Sequence, residues 1–424
     1  MSSAEPARAK RTILVFVAFY LPGHRGGGPV RSIANLVEAL GGEFDFRIVT
    51  FDRDVGDTRA YPHVTPLTWM PVGKAQVCYL PRGPRGAWKI ARLLYRTRAD
   101  VIYLNSFFSF MFSILPVLLM ALAPFCVWPT VLAPRGEFSP GALQFKALKK
   151  AIFLALVRWL GLFHRSHFIF QASSALEADD IIREMSARAH TVLAAPFAIP
   201  YGSTETMLYP RVVTAVDLAA GRGARMPQPV PKTKLAGSLR VTWISRIVRK
   251  KNLSGALDYL TQVRGNVLFT IYGPLEDRRY WEECQLLIDA LPSNIRVTYA
   301  GELPHADVVT VLEDHHVFLF PTHGENYGHV ISEALTAGCA VIISDRTPWH
   351  DVVAERAGWA LSLEDRSGFI SALQQCVDMD ARTFAALSAR ARAFGERHRN
   401  SSVPIEQHRQ LFAAAVSWSM GLSS

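Results

Sequence analysis

Hydrophobic positions along this 424-residue chain follow two alternating spacings. Short, nearly continuous apolar runs predict buried β-strands, and longer segments with an apolar residue at every third or fourth position predict helices. In the first half, the predicted strands cover residues 12–19, 45–50, 76–80, 101–105, 130–133, 167–170 and 191–194, and the predicted helices cover 29–40, 87–97, 111–123, 145–163 and 173–185. This alternation predicts an α/β fold with a parallel sheet.

The same alternation resumes after a change of composition. Glycine, proline, threonine and lysine accumulate over residues 202–238, which predicts a linker. Beyond it, strands are predicted at 239–244, 266–272, 294–299, 317–321 and 340–344, and helices at 253–262, 280–291, 306–314, 328–337, 367–376, 382–396 and 404–420.

A chain of this length exceeds what one hydrophobic core usually supports, so we expect two domains. The predicted organisation is an N-terminal domain over 1–201, a linker over 202–238 and a C-terminal domain over 239–400. A last helix within 401–424 is expected to pack back towards the N-terminal domain. Ligands of doubly wound sheets bind beyond the carboxyl ends of the strands, so a cleft between two such domains would inherit both sets of loops.

The net charge of the chain limits the classes of partner that it could bind. The net charge is +10, from 46 Lys and Arg against 36 Asp and Glu, which suits nucleic acid, an anionic membrane surface or phosphorylated small molecules. Neither zinc-finger spacing nor a long basic arm is present, so nucleic acid is the weakest of the three. The five cysteines form no Cys-x-x-Cys pair, which argues against a disulfide framework or structural zinc and favours a reducing, cytoplasmic compartment.

Two segments of the sequence raise the question of whether the protein contacts a membrane. Residues 101–134 hold no charged side chain, but Pro116, Pro124 and Pro129 divide them, and we interpret them as strand, helix and strand rather than as one membrane span. The helix predicted over 145–163 is basic and amphipathic. Such a helix either lies on an anionic membrane surface or packs on a core with a solvated basic face, and both interpretations stay open.

The strongest local motif is FPTHGENYGHVISEAL at residues 320–335. A strand ends at Pro321, a loop flanked by glycines follows, and a helix is predicted to start near Gly328. Backbone N–H groups at that start, together with the helix dipole, favour a diphosphate. Glu325 and Glu333 are about 12 Å apart along a helix, so two separate tasks suit them, one at a sugar ring and one at ribose hydroxyls. The alternative is a surface helix with two solvated glutamates.

A second motif, ISRIVRKKNL at residues 244–253, also follows a predicted strand and enters a helix. Arg246 and Lys251 can converge there on a phosphate from two sides, because guanidinium offers planar paired donors and ammonium a compact charge. Taken alone, the segment is equally compatible with an ordinary basic surface turn.

Together the two motifs resemble glycosyltransferase family 4, whose members are retaining enzymes with the GT-B fold. Glu325 and Glu333 match its Glu-x7-Glu motif, and Arg246 and Lys251 match its Arg-x4-Lys pair. The N-terminal glycine loop at 26–28 and the segments at 133–136, 272–274 and 344–349 are also similar to family segments. The resemblance implies two doubly wound Rossmann-like domains that face each other across a cleft.

The resemblance also implies roles for individual residues. Glu325 would be the catalytic residue, in contact with the transferred sugar, and Glu333 would bind the ribose. The donor-binding residues would be Arg246, Lys251, Gly324, Asn326, Tyr327, Gly328, Glu333, Gly27 and Gly28. The donor would be a nucleoside-diphosphate sugar, and neither a metal ion nor another cofactor would be required.

Two departures from the family pattern fall in the first half. Residues 195–199 are APFAI where many members have Pro-Asn-Gly, and Asn105 stands near the position where many members carry a histidine. Asn105, at the second departure, and Arg135, in the family-like segment at 133–136, are the acceptor-side candidates. The implied acceptor is a saccharide or a lipid-linked saccharide of surface polysaccharide biosynthesis. Peripheral contact with an anionic membrane on its inner face fits such an acceptor, and nucleic acid is not expected.

Other interpretations remain at this stage. A nucleotide-sugar epimerase or a sugar phosphorylase can have the same fold, and a non-catalytic subunit can bind a sugar nucleotide without turnover. The Asp-x-Asp triplet at 52–54 resembles the metal site of other sugar transferases, but a polar loop after a strand explains it as well. The glycine loop matches neither a P-loop nor a dinucleotide fingerprint. His315, His316, His323 and His329 lack metal-ligand spacing, which favours packing roles.

Overall fold

The computed structural model describes residues 10–122, 128–143, 147–159, 168–188, 207–208, 210–222 and 232–420. The chain divides into two compact units, one formed by Met1–Leu218 with Ser402–Ser424 and the other by Ala219–Ser401. Each unit has its own largely parallel sheet, as the alternating pattern predicts. The strand predicted over 191–194 and the segment at 195–199 lie outside the described residues.

The first unit contains most of the elements predicted for the first half. In chain order they are β1 (Arg11–Val17), α1 (Gly28–Leu40), β2 (Phe44–Phe51), β3 (Trp69–Val72), β4 (Ala75–Leu80), α2 (Pro84–Arg96), β5 (Val101–Asn105), a π-helical turn (Phe110–Ile114), α3 (Leu115–Ala121), β6 (Thr130–Ala133), α4 (Pro140–Leu143), α5 (Ala147–Trp159), β7 (Phe168–Ala172), α6 (Ala175–Met185), β8 (Ala187–Arg188), β9 (Met207–Leu208) and β10 (Val212–Thr214).

The second unit follows with β11 (Ser238–Ile244), a 3-10 turn (Arg249–Lys251), α7 (Leu253–Leu260), β12 (Asn266–Tyr272), α8 (Arg278–Asp289), β13 (Ile295–Tyr299), a 3-10 turn (His305–Asp307), α9 (Val308–Asp314), β14 (Val317–Phe320), α10 (His329–Thr336), β15 (Ala340–Ser344), a 3-10 turn (His350–Val352), β16 (Gly358–Leu361), α11 (Arg366–Asp378) and α12 (Ala381–Asn400). The chain then returns to the first unit as α13 (Val403–Met420).

The sheet of the first unit has the order β10-β7-β6-β5-β1-β2-β4-β3. Its strands alternate their side chains between two apolar layers, so that Leu14 belongs to one layer and Val15 to the other. Helices α2, α3, α5 and α6 supply the first layer, and α1 and α13 supply the second. In α13, the ring of Phe412 packs edge-on against Phe44 and Tyr103.

Helix α5, which the sequence predicts to be basic and amphipathic, packs on this sheet. Leu154 and Val157 are buried in the apolar layer, whereas Leu148 is 75% and Ile152 62% exposed. The core-packing interpretation therefore holds for one face of the helix. Within the residues that the structure describes, no helix combines the length and the apolar character needed to cross a bilayer.

Several elements differ from the sequence prediction. β3 was not predicted and pairs antiparallel with β4 at the edge of the first sheet, and β16 was not predicted at the edge of the second. Part of the predicted linker is β10, which pairs parallel with β7. The helix predicted over 111–123 begins as a π-helical turn, and its α-helical part covers only Leu115–Ala121.

Candidate functional site

The sheet of the second unit reverses its direction of winding between β11 and β14. From β11 the chain adds β12 and β13 on one side and then returns to add β14, β15 and β16 on the other. Every pairing in this sheet is parallel, so the carboxyl ends of β11 and β14 lie side by side. A reversal of this kind opens the usual ligand crevice of an α/β sheet. The loops that follow β11 and β14 carry the predicted site residues.

The loop after β11 is held in place by Asn252. This residue ends the 3-10 turn in a left-handed conformation with φ 56°, which asparagine tolerates better than most side chains. Its side-chain oxygen accepts from the N–H of Gly255 and caps α7, and its Nδ2 donates to the carbonyl of Pro321 at 2.8 Å. Asn252 thereby ties the start of α7 to the end of β14 and places the neighbouring Lys251 beside the loop after β14.

The loop after β14 is fixed from both of its neighbours in the sheet. The Thr322 hydroxyl and the His323 N–H donate to the Lys250 carbonyl, at 3.1 and 2.9 Å. The Glu325 N–H donates to the carbonyl of Arg346, which follows β15, at 3.0 Å. Backbone and hydroxyl hydrogen bonds therefore determine where the Glu325 side chain begins.

Lys251 and Glu325 form an ion pair at this edge of the sheet. Nζ of Lys251 lies 2.7 Å from Oε1 and 2.6 Å from Oε2 of Glu325, and the two side chains are only 10% and 17% exposed. Burial raises the pKa of the Glu325 carboxyl, but the charges of Lys251, Lys250 and Arg246 outweigh burial, so the pKa lies below its ordinary value. Glu325 is therefore a carboxylate at neutral pH, surrounded by cations.

The pair leaves hydrogen-bonding capacity unused. An ammonium group has three donors, and a carboxylate has about four acceptor positions. Within the described part of the chain, the Lys251 ammonium and the Glu325 carboxylate have only each other as hydrogen-bonding partners. A ligand can therefore bind both groups without first displacing another protein partner.

Gly328 brings the amino end of α10 close to this pair. Its φ is 81°, a conformation that glycine adopts without strain, and a Cβ at this position would lie 3.1 Å from Cγ of Glu325. The positive end of the helix dipole can thus approach the carboxylate closely because residue 328 has no side chain. Further along α10, Glu333 is 9% exposed, and its Oε1 lies 3.8 Å from Nδ1 of His305.

Arg246 lies at the same edge but has a different partner. Its Nη1 is 2.8 and 3.1 Å from the two carboxylate oxygens of Glu276, and the Arg246 side chain is 44% exposed. Its charge nevertheless contributes to lowering the pKa of Glu325. The structure thus brings Arg246, Lys251 and Glu325 to one edge, and the convergence of both cations on one phosphate stays a prediction.

Of the remaining predicted donor residues of this unit, Gly324 has no side chain, and the side chain of Tyr327 is buried. The Gly324 N–H lies 3.3 Å from the hydroxyl of Thr322. The Tyr327 ring is 4% exposed and packs edge-on against Trp349, whose indole N–H donates to the Tyr327 carbonyl. The Tyr327 side chain therefore serves packing, and a donor contact at residues 324–328 would use Asn326 and the neighbouring backbone.

In the first unit, an acidic residue holds the glycine loop. Gly27 has φ 70°, and α1 begins at Gly28 with proline in its first turn. Asp54 Oδ2 accepts from the N–H groups of His24 and Arg25 at 2.8 and 3.1 Å. One carboxylate of the Asp-x-Asp triplet thus orders the loop that leads to Gly27 and Gly28, and this structural role agrees with the polar-loop interpretation.

The acceptor-side candidates belong to a buried network. Arg135 Nη2 donates to Asn105 Oδ1 at 2.7 Å and to the Tyr103 hydroxyl at 2.9 Å. Its Nη1 is paired with Asp217, and the Arg135 side chain is only 6% exposed. The structure brings Asn105 and Arg135 into contact and gives both a scaffolding role, while contact with an acceptor stays a prediction.

A hydroxyl connects this network to the glycine loop. Ser32 Oγ lies 2.8 Å from Asp217 Oδ2 and 3.1 Å from the Gly28 carbonyl. Sequence reasoning missed Ser32, Asp217 and His305. It did single out Asp54, as part of the Asp-x-Asp triplet that follows a predicted strand.

The predicted packing roles of the histidine pair before β14 are confirmed. His316 Nδ1 accepts the Arg240 N–H at 3.0 Å, and burial lowers the pKa of His316 to about 4. Nε2 of His315 lies 3.2 Å from the Thr270 hydroxyl. Within the described ranges, no group of three or more His, Cys, Asp or Glu side chains is arranged to hold a metal ion, and metal-independent action stays a prediction.

Family models match both halves of the chain. Residues 27–198 match the glycosyl transferase 4-like domain, and residues 231–393 match the glycosyl transferases group 1 model. The two matches together span well over half of the sequence. The chain is a family 4-type glycosyltransferase.

Solved structures place this glycosyltransferase among GT-B folds. It superposes on a sucrose-phosphate synthase from Thermosynechococcus elongatus with a TM-score of 0.65, at 15% identity over 96% of this chain and 100% of the other. Anabaena HepE in complex with UDP-glucose gives a TM-score of 0.62, at 15% identity over 96% and 99% of the two chains. WaaG, a glycosyltransferase involved in lipopolysaccharide biosynthesis, gives 0.60, at 13% identity over 94% and 99%.

The structural similarity establishes the fold, and at these identities it leaves the substrates open. A comparison with curated protein sequences gives no significant match. The predicted fold class, family and enzyme class are confirmed, and the glycosyltransferase carries Lys251 and Glu325 at the winding reversal of its group 1 domain.

Proposed function

We propose that this glycosyltransferase moves a sugar from a nucleoside-diphosphate sugar to a saccharide or lipid-linked acceptor, with retention of the anomeric configuration, in surface polysaccharide biosynthesis. The Lys251–Glu325 pair carries the proposal. It lies beside the reversal of the sheet, it is mostly buried, and each of its groups has hydrogen-bonding capacity left for a ligand.

The donor diphosphate would bind to Lys251, Arg246 and the backbone at the start of α10. Cationic groups and oriented N–H groups stabilise the negative charge that grows on a departing diphosphate. Binding would also compensate the local charge, because the pyrophosphate supplies anions to an edge where Lys250, Lys251 and Arg246 already depress the pKa of Glu325. Gly27 and Gly28 would let the backbone approach the donor closely.

The two glutamates would have separate tasks. Glu325 would accept hydrogen bonds from hydroxyls of the transferred sugar, and Glu333 from the ribose hydroxyls. In the reaction, the bond between the anomeric carbon and the phosphate oxygen breaks as the acceptor oxygen bonds to the same face of that carbon. The acceptor proton passes to the departing phosphate oxygen, so the step needs neither a metal ion nor a protein nucleophile.

UDP-glucose is the first donor to test, because HepE is described in complex with it. A lipid-linked acceptor would also require contact with a membrane surface, for which peripheral binding to anionic lipid is the proposed mode. WaaG, with its role in lipopolysaccharide biosynthesis, supports an acceptor of this kind.

Calorimetric titration with UDP-glucose, and with GDP-, ADP- and dTDP-sugars if it fails to bind, tests the donor site. We expect Lys251→Ala to weaken donor binding by about 10–100-fold, since a hydrogen bond to a charged group contributes about 1.5–3 kcal/mol. The loss should shrink as salt is added to both proteins. Glu333→Ala should weaken binding by a similar factor without this dependence on salt. Arg279→Ala, which removes an 88% exposed side chain of the same unit, is the matched control.

Three results would contradict the proposal. Donor affinity equal to that of the wild type in both site variants would reject the site. Nucleotide release that does not depend on added saccharide acceptor would reject transfer. A product whose anomeric proton coupling shows inversion would reject retention alone.

A further inference from the structure

One face of α2 is both cationic and aromatic. The exposed positions of this helix recur at intervals of three and four residues, which places them on a single stripe; they are Arg85, Trp88, Arg92, Tyr95 and Arg96. Trp88 is 61% and Tyr95 49% exposed. The opposite face buries Ile90, Leu93 and Leu94 in the core of the first unit, so the exposed stripe is a stable feature of a well-anchored helix.

Helix α3 lies beside α2 and adds exposed aliphatic side chains. The Tyr95 hydroxyl donates to the carbonyl of Leu119 at 2.7 Å and joins the two helices. On either side of that residue, Leu118 is 43% and Leu122 75% exposed. We call the combined face the α2–α3 surface; it consists of Arg85, Trp88, Arg92, Tyr95, Arg96, Leu118 and Leu122.

The charged side chains of this surface and its surroundings are almost all positive. Residues 58–122 contain eight Lys and Arg and a single acidic residue, Asp100, whose Oδ2 accepts the Thr12 N–H at 2.7 Å. Across the described ranges, none of the three surface arginines forms an ion pair, and Arg92 lies over the Trp88 ring at 5.4 Å. In the second unit, by contrast, the exposed Arg249 is paired with Glu283.

We propose that the α2–α3 surface binds an anionic lipid membrane, with the arginines at the phosphate groups and Trp88, Tyr95, Leu118 and Leu122 in the interfacial layer. Cations with no protein counterion are attracted to an anionic leaflet. Tryptophan and tyrosine prefer the membrane interface, where one end of the side chain is apolar and the other wet. An amphipathic helix with this composition binds in the plane of the surface.

The exposed leucines distinguish a membrane from nucleic acid as the partner. Arginines and aromatic rings suit both, because nucleic acids offer phosphates and stacking bases. Leu122, at 75% exposed, and Leu118 gain nothing beside a phosphate backbone, whereas the interfacial region of a bilayer removes their surfaces from water. Apolar and cationic side chains together on one face therefore favour lipid.

This inference rests on the proposed function only for its purpose, which is to bring the enzyme to a lipid-linked acceptor. Its test needs neither donor nor acceptor. If donor binding fails, vesicle binding can still stand, and if vesicle binding fails, the donor site can still stand.

Co-sedimentation of the full chain with vesicles tests the surface. One set of vesicles is pure phosphatidylcholine, and the other contains equal parts of phosphatidylcholine and phosphatidylglycerol. We expect binding to the second set only, and a loss of about a hundredfold or more in the triple variant Arg85→Glu, Arg92→Glu, Arg96→Glu, because each cation near an anionic surface contributes about fivefold. The variant Trp88→Ala, Leu122→Ala should lose about tenfold.

A matched control separates this surface from overall charge. The triple variant Arg278→Glu, Arg279→Glu, Arg382→Glu changes the net charge by the same amount at exposed positions of the second unit and should bind vesicles like the wild type. Equal losses in both triple variants would overturn the proposal in favour of non-specific attraction. Full binding by the Trp88→Ala, Leu122→Ala variant, with tight binding of duplex DNA that the α2 arginines control, would overturn it in favour of nucleic acid.

Discussion

Beyond the carboxyl ends of its strands, each sheet carries a buried cation–carboxylate pair, Arg135–Asp217 in the first unit and Lys251–Glu325 in the second, and these two pairs differ in the hydrogen-bonding capacity that they leave unused. Arg135 and Asp217 are 6% and 4% exposed, and the rest of the guanidinium donates to Asn105 and Tyr103. Lys251 and Glu325 are 10% and 17% exposed and, within the described residues, hydrogen-bond through these groups only with each other.

This difference suggests how to distinguish an ion pair that only supports the fold from one that could also bind a ligand. Burial of a salt bridge alone argues neither for stability nor for function, because desolvation offsets the attraction. What separates the two pairs is the hydrogen-bonding capacity that remains. The first unit uses its buried charges to join loops after β5, β6 and β10, whereas the pair of the second unit keeps donor and acceptor positions that the proposed donor could use.

The largest effect that this comparison predicts is on stability. Asp217→Ala leaves the Arg135 guanidinium buried without its carboxylate, which should lower the free energy of unfolding by about 3–5 kcal/mol. Glu325→Ala leaves an ammonium that water can still reach, so the loss should be about 1–2 kcal/mol. Urea unfolding of both variants measures the two values. The comparison fails if Glu325→Ala destabilises the protein as much as Asp217→Ala does.

Acid should act on the first network through His408. This α13 histidine is 1% exposed, its Nδ1 lies 2.8 Å from the Pro404 carbonyl, and its Nε2 lies 3.3 Å from Nε2 of Gln171, whose Oε1 is hydrogen-bonded to Tyr103. Burial lowers the pKa of His408 to about 4. Since the unfolded chain binds the proton more readily, this contribution to stability is complete above about pH 6.5 and falls as the pH drops towards 4.

The variant His408→Gln isolates this effect. A shift from 6.5 to about 4 corresponds to about 3 kcal/mol, so wild-type stability should fall by that amount more than the variant's between pH 7 and pH 4. Buried His316 titrates in both proteins and cancels in the difference. Parallel pH profiles of the free energy of unfolding in the two proteins would show that His408 does not sense acid.

Strands and candidate-site loops of the second unit were predictable because the pattern that specifies them is local. Strands buried on both faces, such as β14 and β15, are continuous apolar runs. Lys251 and Glu325 lie in the loops that follow β11 and β14, so the position of each along the chain already indicates the carboxyl edge of the sheet. Winding order then brings the two loops together.

Features that depend on distant partners were not predictable. Arg135 finds Asp217 82 residues away, and Arg246 finds Glu276 30 residues away, and neither pairing has a signal in the local sequence. The edge strands β3 and β16 were missed because they are only partly buried and lack a clear alternation. β10 lies in a segment whose composition predicts a linker, and pairing with β7 overrides that composition.

The smallest predicted effect concerns Arg246, which combines properties of the two ion pairs. Its guanidinium is exposed, like a ligand-binding group, yet Glu276 already occupies it. Glu276→Gln should therefore free the charge for a donor diphosphate and raise donor affinity about two- to fivefold, since exposed ion pairs contribute less than about 1 kcal/mol. Glu283→Gln removes the carboxylate partner that Arg249 has on helix α8 and is the matched control, with unchanged affinity expected in calorimetric titration. A weaker donor affinity in Glu276→Gln would mean that Glu276 positions Arg246 for the donor. A cation that already has a carboxylate partner could then not be taken as purely structural.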